Sequence, residues 1–140
     1  MDLTLLERAL DNPNNANLAN LDIELVKSNK NNILQHLNLD REKLKKYNKI
    51  LKGYLYIDNV SDLKIGSMVR WIDILDLDNI KIRQGGLLCG IINSNDNILF
   101  HVKLFNNRII TINYTNCLIF QLFTHQEKII LKAFELVKKK

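Results

Sequence analysis

The side chains best equipped for chemistry in this 140-residue chain are three histidines, two cysteines and a short run of aspartates. General acid–base work needs titratable groups brought together in a cleft. His36, His101 and His125 are scattered, and none has a partner at a telling spacing. His101 falls on the polar face of a strand pattern and His125 in the first turn of a helix pattern, so both read as surface histidines. Asp73, Asp76 and Asp78 suggest a cation at first sight, but the run lacks the glycine and the distal glutamate of a calcium loop and reads as a solvated loop. Gly85-Gly86 is too short for a phosphate cradle and precedes a strand, which makes it turn chemistry. Cys89 and Cys117 sit singly inside strand patterns, as two buried thiols of a reducing compartment. The sequence therefore predicts no catalytic residue, no cofactor and no metal, and a protein that is not an enzyme.

Binding is the chemistry left. Tyr54, Tyr56, Trp71, Phe100, Phe105 and Tyr114 could form an aromatic cage or a base-stacking platform, although aromatics are also the ordinary filling of a small β-core. Trp71 is the best surface candidate, with Tyr114 second. Arg70, Lys81, Arg83, Lys103 and Arg108 would be the phosphate contacts on the same strands. The net charge is +5, and its placement is uneven. Residues 61–123 carry six Lys/Arg against five Asp/Glu, so the strand-rich part is nearly neutral. Basic residues gather on Arg41, Lys43, Lys45, Lys46, Lys49 and Lys52, and again on Lys138, Lys139 and Lys140, where they complement the negative end of a last helix. Trp71, Tyr114, Arg70, Lys103, Arg108, Lys45, Lys46 and Lys49 are the candidate binding residues.

The elements that must position them follow from periodicity. Five short strands run from Lys64 to Leu122: MVRWI behind Gly66-Ser67, a strand opened by Gly85-Gly86, then ILFHVKLF, RIITINY and CLIFQL. Leu99, His101 and Lys103 alternate with Phe100, Val102 and Leu104, giving that strand one polar face. Asn106-Asn107 is expected to take positive φ at both positions of a primed two-residue turn, and Ser94 to Asn97 closes the preceding strand. Upstream lie helix patterns over 2–10, from an Asp22 cap to Gln35, and from an Asn38 or Asp40 cap to a stop at Gly53. Between the first two, DNPNNANLAN reads as an exposed loop. Tyr54 to Ile57 is an extended lead-in that packs across the barrel or adds to its sheet. Thr124 and Glu127 make a capping box for a last helix, whose stripe Ile130, Ala133, Phe134, Val137 is expected to cover an open barrel end.

At this length the chain holds one core with helical additions, and 46% hydrophobic residues suffice for it to fold. No apolar run is long enough for a membrane span and no secretory leader is visible, so cytoplasmic or nuclear residence is expected.

The stretches YLYIDNVSDLKIGSMVRWI, GGLLCGII and CLIFQLFTHQEKIIL place in order a tyrosine-rich lead-in, a Gly-x-x-Val/Ile-Arg-Trp/Tyr-Ile strand, a Gly-Gly strand and a Thr-x-x-Glu helix. Over roughly residues 37–134 this order resembles a group of short proteins of nucleocytoplasmic large DNA viruses. The strand succession itself resembles SH3-like and Tudor-like modules, which bind peptides, methylated side chains or nucleic acid. A Tudor cage needs several loop aromatics, and only Trp71 and Tyr114 qualify here, so the resemblance implies a fold and a viral setting without a ligand site.

The expectation is an α+β protein. Residues 1–60 form a helical region with the lead-in, 61–123 a five-stranded antiparallel SH3-like barrel, and 124–140 a helix packed on the barrel. Two functions fit: a structural or adaptor protein contacting other viral proteins, in the virion or in the host cytoplasm or nucleus, or a nucleic-acid-binding module.

Overall fold

Local chemistry sets the helix ends. Asp40, with extended backbone, accepts the Lys43 N–H at 2.8 Å and starts the third helix, α3 (Arg41–Ile50). Gly53, at φ +84°, turns the chain out of it. The computed structural model describes residues 3–13 and 23–138. The first two helices are α1 (Leu3–Asp11) and α2 (Ile23–Gln35). The expected cap Asp22, the loop after Pro13, and Lys139 and Lys140 lie outside the described residues. Before α4 (His125–Lys138), Thr124 Oγ1 accepts the Glu127 N–H at 3.1 Å and Glu127 returns the bond to the Thr124 N–H at 2.8 Å.

The strands are β1 (Tyr54–Tyr56), β2 (Met68–Asp73), β3 (Gly86–Ser94), β4 (Asn97–Lys103), β5 (Ile109–Asn113) and β6 (Cys117–Leu122). They make one antiparallel sheet in the order β1-β6-β2-β3-β4-β5. The closed five-stranded barrel expected from the sequence is thus an open six-stranded sheet. The lead-in adds a strand, with Tyr54 opposite Leu122, and β5 stays at an edge.

Where closure fails is visible at β2. Only Met68 and Val69 pair with β3. Beyond them the returning loop takes the vacated side, through Arg83 N–H to Trp71 O at 2.9 Å and an Ile72–Ile82 bridge. Gly85, at φ +85°, permits this divergence, since a Cβ there would sit 2.0 Å from Val69 O. The primed turn is also displaced from its expected place. Asn95 and Asp96 both have positive φ and join β3 to β4, whereas at the β4–β5 turn Asn107 does and Asn106 does not. There Asn107 N–H bonds Leu104 O and Leu104 N–H bonds Arg108 O, a three-residue loop ending in a left-handed residue.

β6 is buried on both faces, which is why CLIF reads as an unbroken apolar run. On one face Val69, Trp71, Leu88, Phe100, Val102, Ile112 and Ile119 form the sheet's own core. On the other, Ile72 and Phe120 pack under Leu34, Leu37, Tyr47 and Leu51 of the α2–α3 region. A third cluster joins Ala9, Val26, Ile130 and Leu131 with Phe123. Since the partners of α4 there are α1 and α2, its buried side turns toward Leu131, and Val137 of the expected stripe is exposed. The sheet meets α4 at Phe123, at Leu55 and through a polar tie. Lys64 Nζ lies 3.0 Å from Glu127 Oε2, with Glu127 1% exposed, while Gln121 Oε1 accepts the Lys64 N–H and Gln121 Nε2 donates to Asp62 O.

Candidate functional site

Alternation in β2 decides the fate of the expected barrel site. Trp71 turns into the sheet core at 5% exposure, reaching solvent space at one edge only, while Arg70 turns to the opposite face. There Arg70 Nε donates to Tyr54 Oη at 3.3 Å and its guanidinium lies 5.9 Å from the Tyr54 ring centroid. The two cannot serve one ligand. Tyr114 is half-buried, edge-on to Phe100 at 5.6 Å, and donates to Asp58 O at 2.9 Å. Burial, then the Asp58 carboxylate, raises its phenol above the usual range. It is a structural tyrosine. Lys103 and Arg108 are exposed near the β4–β5 turn, Lys103 on the outer face opposite Ile109. Lys45, Lys46 and Lys49 are exposed on α3, far in sequence from both.

The remaining titratable groups are also dispersed. His36 and His125 are exposed, and His101 lies 3.2 Å from Thr111 Oγ1. Asp73 pairs with Arg83 at 3.0 Å on the surface, and Asp76 accepts the Asp78 N–H, which closes the acidic run as a turn. Among the described residues no group of three or more His, Cys, Asp or Glu is placed to hold a metal. One of the two thiols differs from expectation. The bulge between Leu88 and Gly90 pushes Cys89 out to solvent, while Cys117 is buried and, through burial and then Asp73, its thiol is pushed up to about 12.

What the fold does build is a groove of about 770 Å³ in the gap where a barrel would close. Ile110, Ile112 and the Trp71 edge form its apolar base, and the 74–85 arm and the 104–106 turn form its walls. The arm is held from behind, by Ile80 in the helical core and by Tyr47 Oη donating to Ile80 O at 3.1 Å. On its lips Leu75 is 75% exposed and Phe105 72%. One side of the groove is the free edge of β5. The Leu104–Arg108 bond sets a register in which Ile110 and Ile112 bond β4, so the main chain of Ile109 and Thr111 points outward. No protein-family model, curated protein or solved structure matches this chain.

In the sequence Leu75 is not singled out, and Phe105 is named only as one of six aromatics of a possible cage or platform. The signal was there: each is a large apolar side chain inside a polar turn, Leu75 before Asp76 and Phe105 before Asn106-Asn107.

Proposed function

We propose that this protein is a non-enzymatic structural or adaptor protein of a large DNA virus that holds an extended segment of a partner protein in the groove along β5. The uncovered edge of β5, flanked by exposed Leu75 and Phe105, carries the reading. Outward N–H and C=O groups provide main-chain pairing for an added strand, and apolar lips provide side-chain contacts. The viral setting rests on the resemblance of the three sequence stretches. An SH3-like plan for β2–β6 is supported by the order β6-β2-β3-β4-β5, the long arm after β2 and the 3₁₀ turn Tyr114–Asn116 before β6.

Selection from a random peptide library, followed by NMR titration of the winning peptide, tests this. Shifts concentrated on Leu75, Phe105, Ile109 and Thr111, lost in Phe105→Asp, are expected. Selected peptides that map to the helices instead would refute it.

A second reading, nucleic-acid binding through α3, is favoured by the exposure of Arg41, Lys43, Lys45 and Lys46 along one short helix. It predicts affinity for duplex DNA that falls steeply with salt, at a log-log slope of roughly −0.9 per phosphate contact. Reversing Lys45, Lys46 and Lys49 to Glu should abolish it.

A further inference from the structure

Helices α2, α3 and α4 enclose a cleft of about 890 Å³ that no sequence pattern announces. Six lysines line it: Lys27 and Lys30 from α2, Lys49 from α3 and Lys52 just beyond it, Lys128 and Lys132 from α4. Among the described residues Glu135 is the one acid in the lining, 3.8 Å from Lys132. The whole chain has 20 Lys and Arg against 15 Asp and Glu; without these six lysines and Glu135, 14 of each remain. The formal charge excess of the protein therefore equals the charge of the described lining residues.

Lys30 makes the cleft more than a solvated basic patch. Its side chain is buried, 5% exposed, and its Nζ donates to Leu51 O at 2.8 Å, at the carbonyl end of α3. An ammonium has three donors, and among the described residues no carboxylate stands within ion-pairing distance of this one. A buried cation facing further cations is costly unless an anion accompanies it. Burial, then Lys27, lowers its pKa to about 8, in keeping with that missing counter-charge.

We infer that this cleft binds a compact anion carrying two or more phosphate groups. Six point charges lining one cleft exceed what one carboxylate neutralises, and lysine serves phosphate as a point charge. The volume is that of a small-molecule site. Concave walls suit a compact ligand and not the convex flank of a duplex. Val26 and Leu131 in the floor leave an apolar bed for a non-phosphate part.

The inference is independent of the β5 groove. Calorimetric titration of the full chain with sodium tripolyphosphate in magnesium-free, low-salt buffer tests it. One-to-one binding is expected, weakened at least about tenfold by Lys49→Glu with Lys128→Glu, and changed less than about threefold by Lys45→Glu with Lys46→Glu on the same helix α3. Lys30→Met should weaken it comparably to the first pair; because Lys30 also holds the end of α3, the exterior pair decides if that variant unfolds. Binding to vesicles containing phosphatidylinositol bisphosphate, displaced by tripolyphosphate, supports the same chemistry with a lipid headgroup as its source. Binding of tripolyphosphate without binding to such vesicles supports a soluble source. Absence of any heat or NMR shift at millimolar tripolyphosphate would overturn the inference. So would equal weakening by the two reversal pairs, or a single-stranded oligonucleotide that tripolyphosphate fails to displace.

Discussion

The groove along β5 and the cleft between the helices are close in volume, about 770 and 890 Å³, and are built from opposite materials. Main chain shapes the groove: a strand edge, an arm pinned at Arg83 and Ile80, and a glycine against Val69 O. The cleft is shaped by packing of α2 and α4 through Val26 and Leu131, and its chemistry comes from long side chains that can move without disturbing that packing. Backbone changes should therefore damage the first region and the fold together. Charge changes should alter the second and leave the fold intact.

The largest effect tests the backbone half of that contrast. Gly85→Ala places a Cβ 2.0 Å from Val69 O at a left-handed φ, and should cost at least about 4 kcal/mol in urea denaturation. A midpoint unchanged from wild type would show that the β2–β3 junction yields, and with it the claim that the groove is rigid.

Next comes the tie between the two regions. Glu127→Ala leaves Lys64 without its carboxylate and Thr124 N–H without its acceptor, and should cost about 3 kcal/mol. Hydrogen exchange should rise in α4 before the sheet. Uniform loosening would mean that the sheet depends on α4 as much as α4 on it.

Lys30 sharpens the electrostatic half. Its pKa is about 8 in the fold and near 10.5 in the unfolded chain, so the folded state holds fewer protons between those values. Its destabilising contribution is complete below about pH 8 and fades as pH rises to about 10.5, on the order of 2 kcal/mol. The groups facing it in the cleft are Lys27, Lys49, Lys52, Lys128, Lys132 and Glu135. Comparing wild type with Lys30→Met across that range isolates the effect from Tyr56 and Tyr114, whose raised pKa values work in the opposite direction at high pH. Parallel pH curves for the two proteins would refute it. Saturating tripolyphosphate should hold Lys30 charged and flatten the wild-type rise.

The smallest stability effects belong to the exposed lips. Phe105→Ser and Leu75→Asp should each change stability by under about 0.5 kcal/mol, abolish binding of a selected peptide and leave tripolyphosphate binding intact. Loss of both ligands would mean that the two regions are coupled. Alkylation at neutral pH should modify the exposed Cys89 and spare Cys117, with no shift in midpoint.

Much of the fold was legible because its rules act over a few residues. The Thr124–Glu127 box, the Asp40 cap, the Gly53 stop and the period of two in β4 and β5 each concern side chains within one turn or one strand step. Even the displaced primed turn was a local matter: both Asn95-Asp96 and Asn106-Asn107 tolerate positive φ, and the length of each hairpin loop chose between them.

The assembly of neither candidate site was written locally. Whether β5 meets another strand depends on where β2 sheds β3, and that rests on Gly85 meeting Val69 O across the sheet. Trp71 could be read as exposed because a strand pattern gives the alternation of faces without saying that both faces of β2 will be covered. The six lysines lie between Lys27 and Lys132 in the chain, mixed with enough acids that no stretch containing them stands out beyond the α3 run. The sequence by itself determined which segments are helix and strand and how side chains alternate along them, since those follow from neighbours a few bonds away. Only the packing of three helices over one curled sheet could bring those lysines around one cleft and leave one strand edge bare, because proximity in space carries no local signature in the chain.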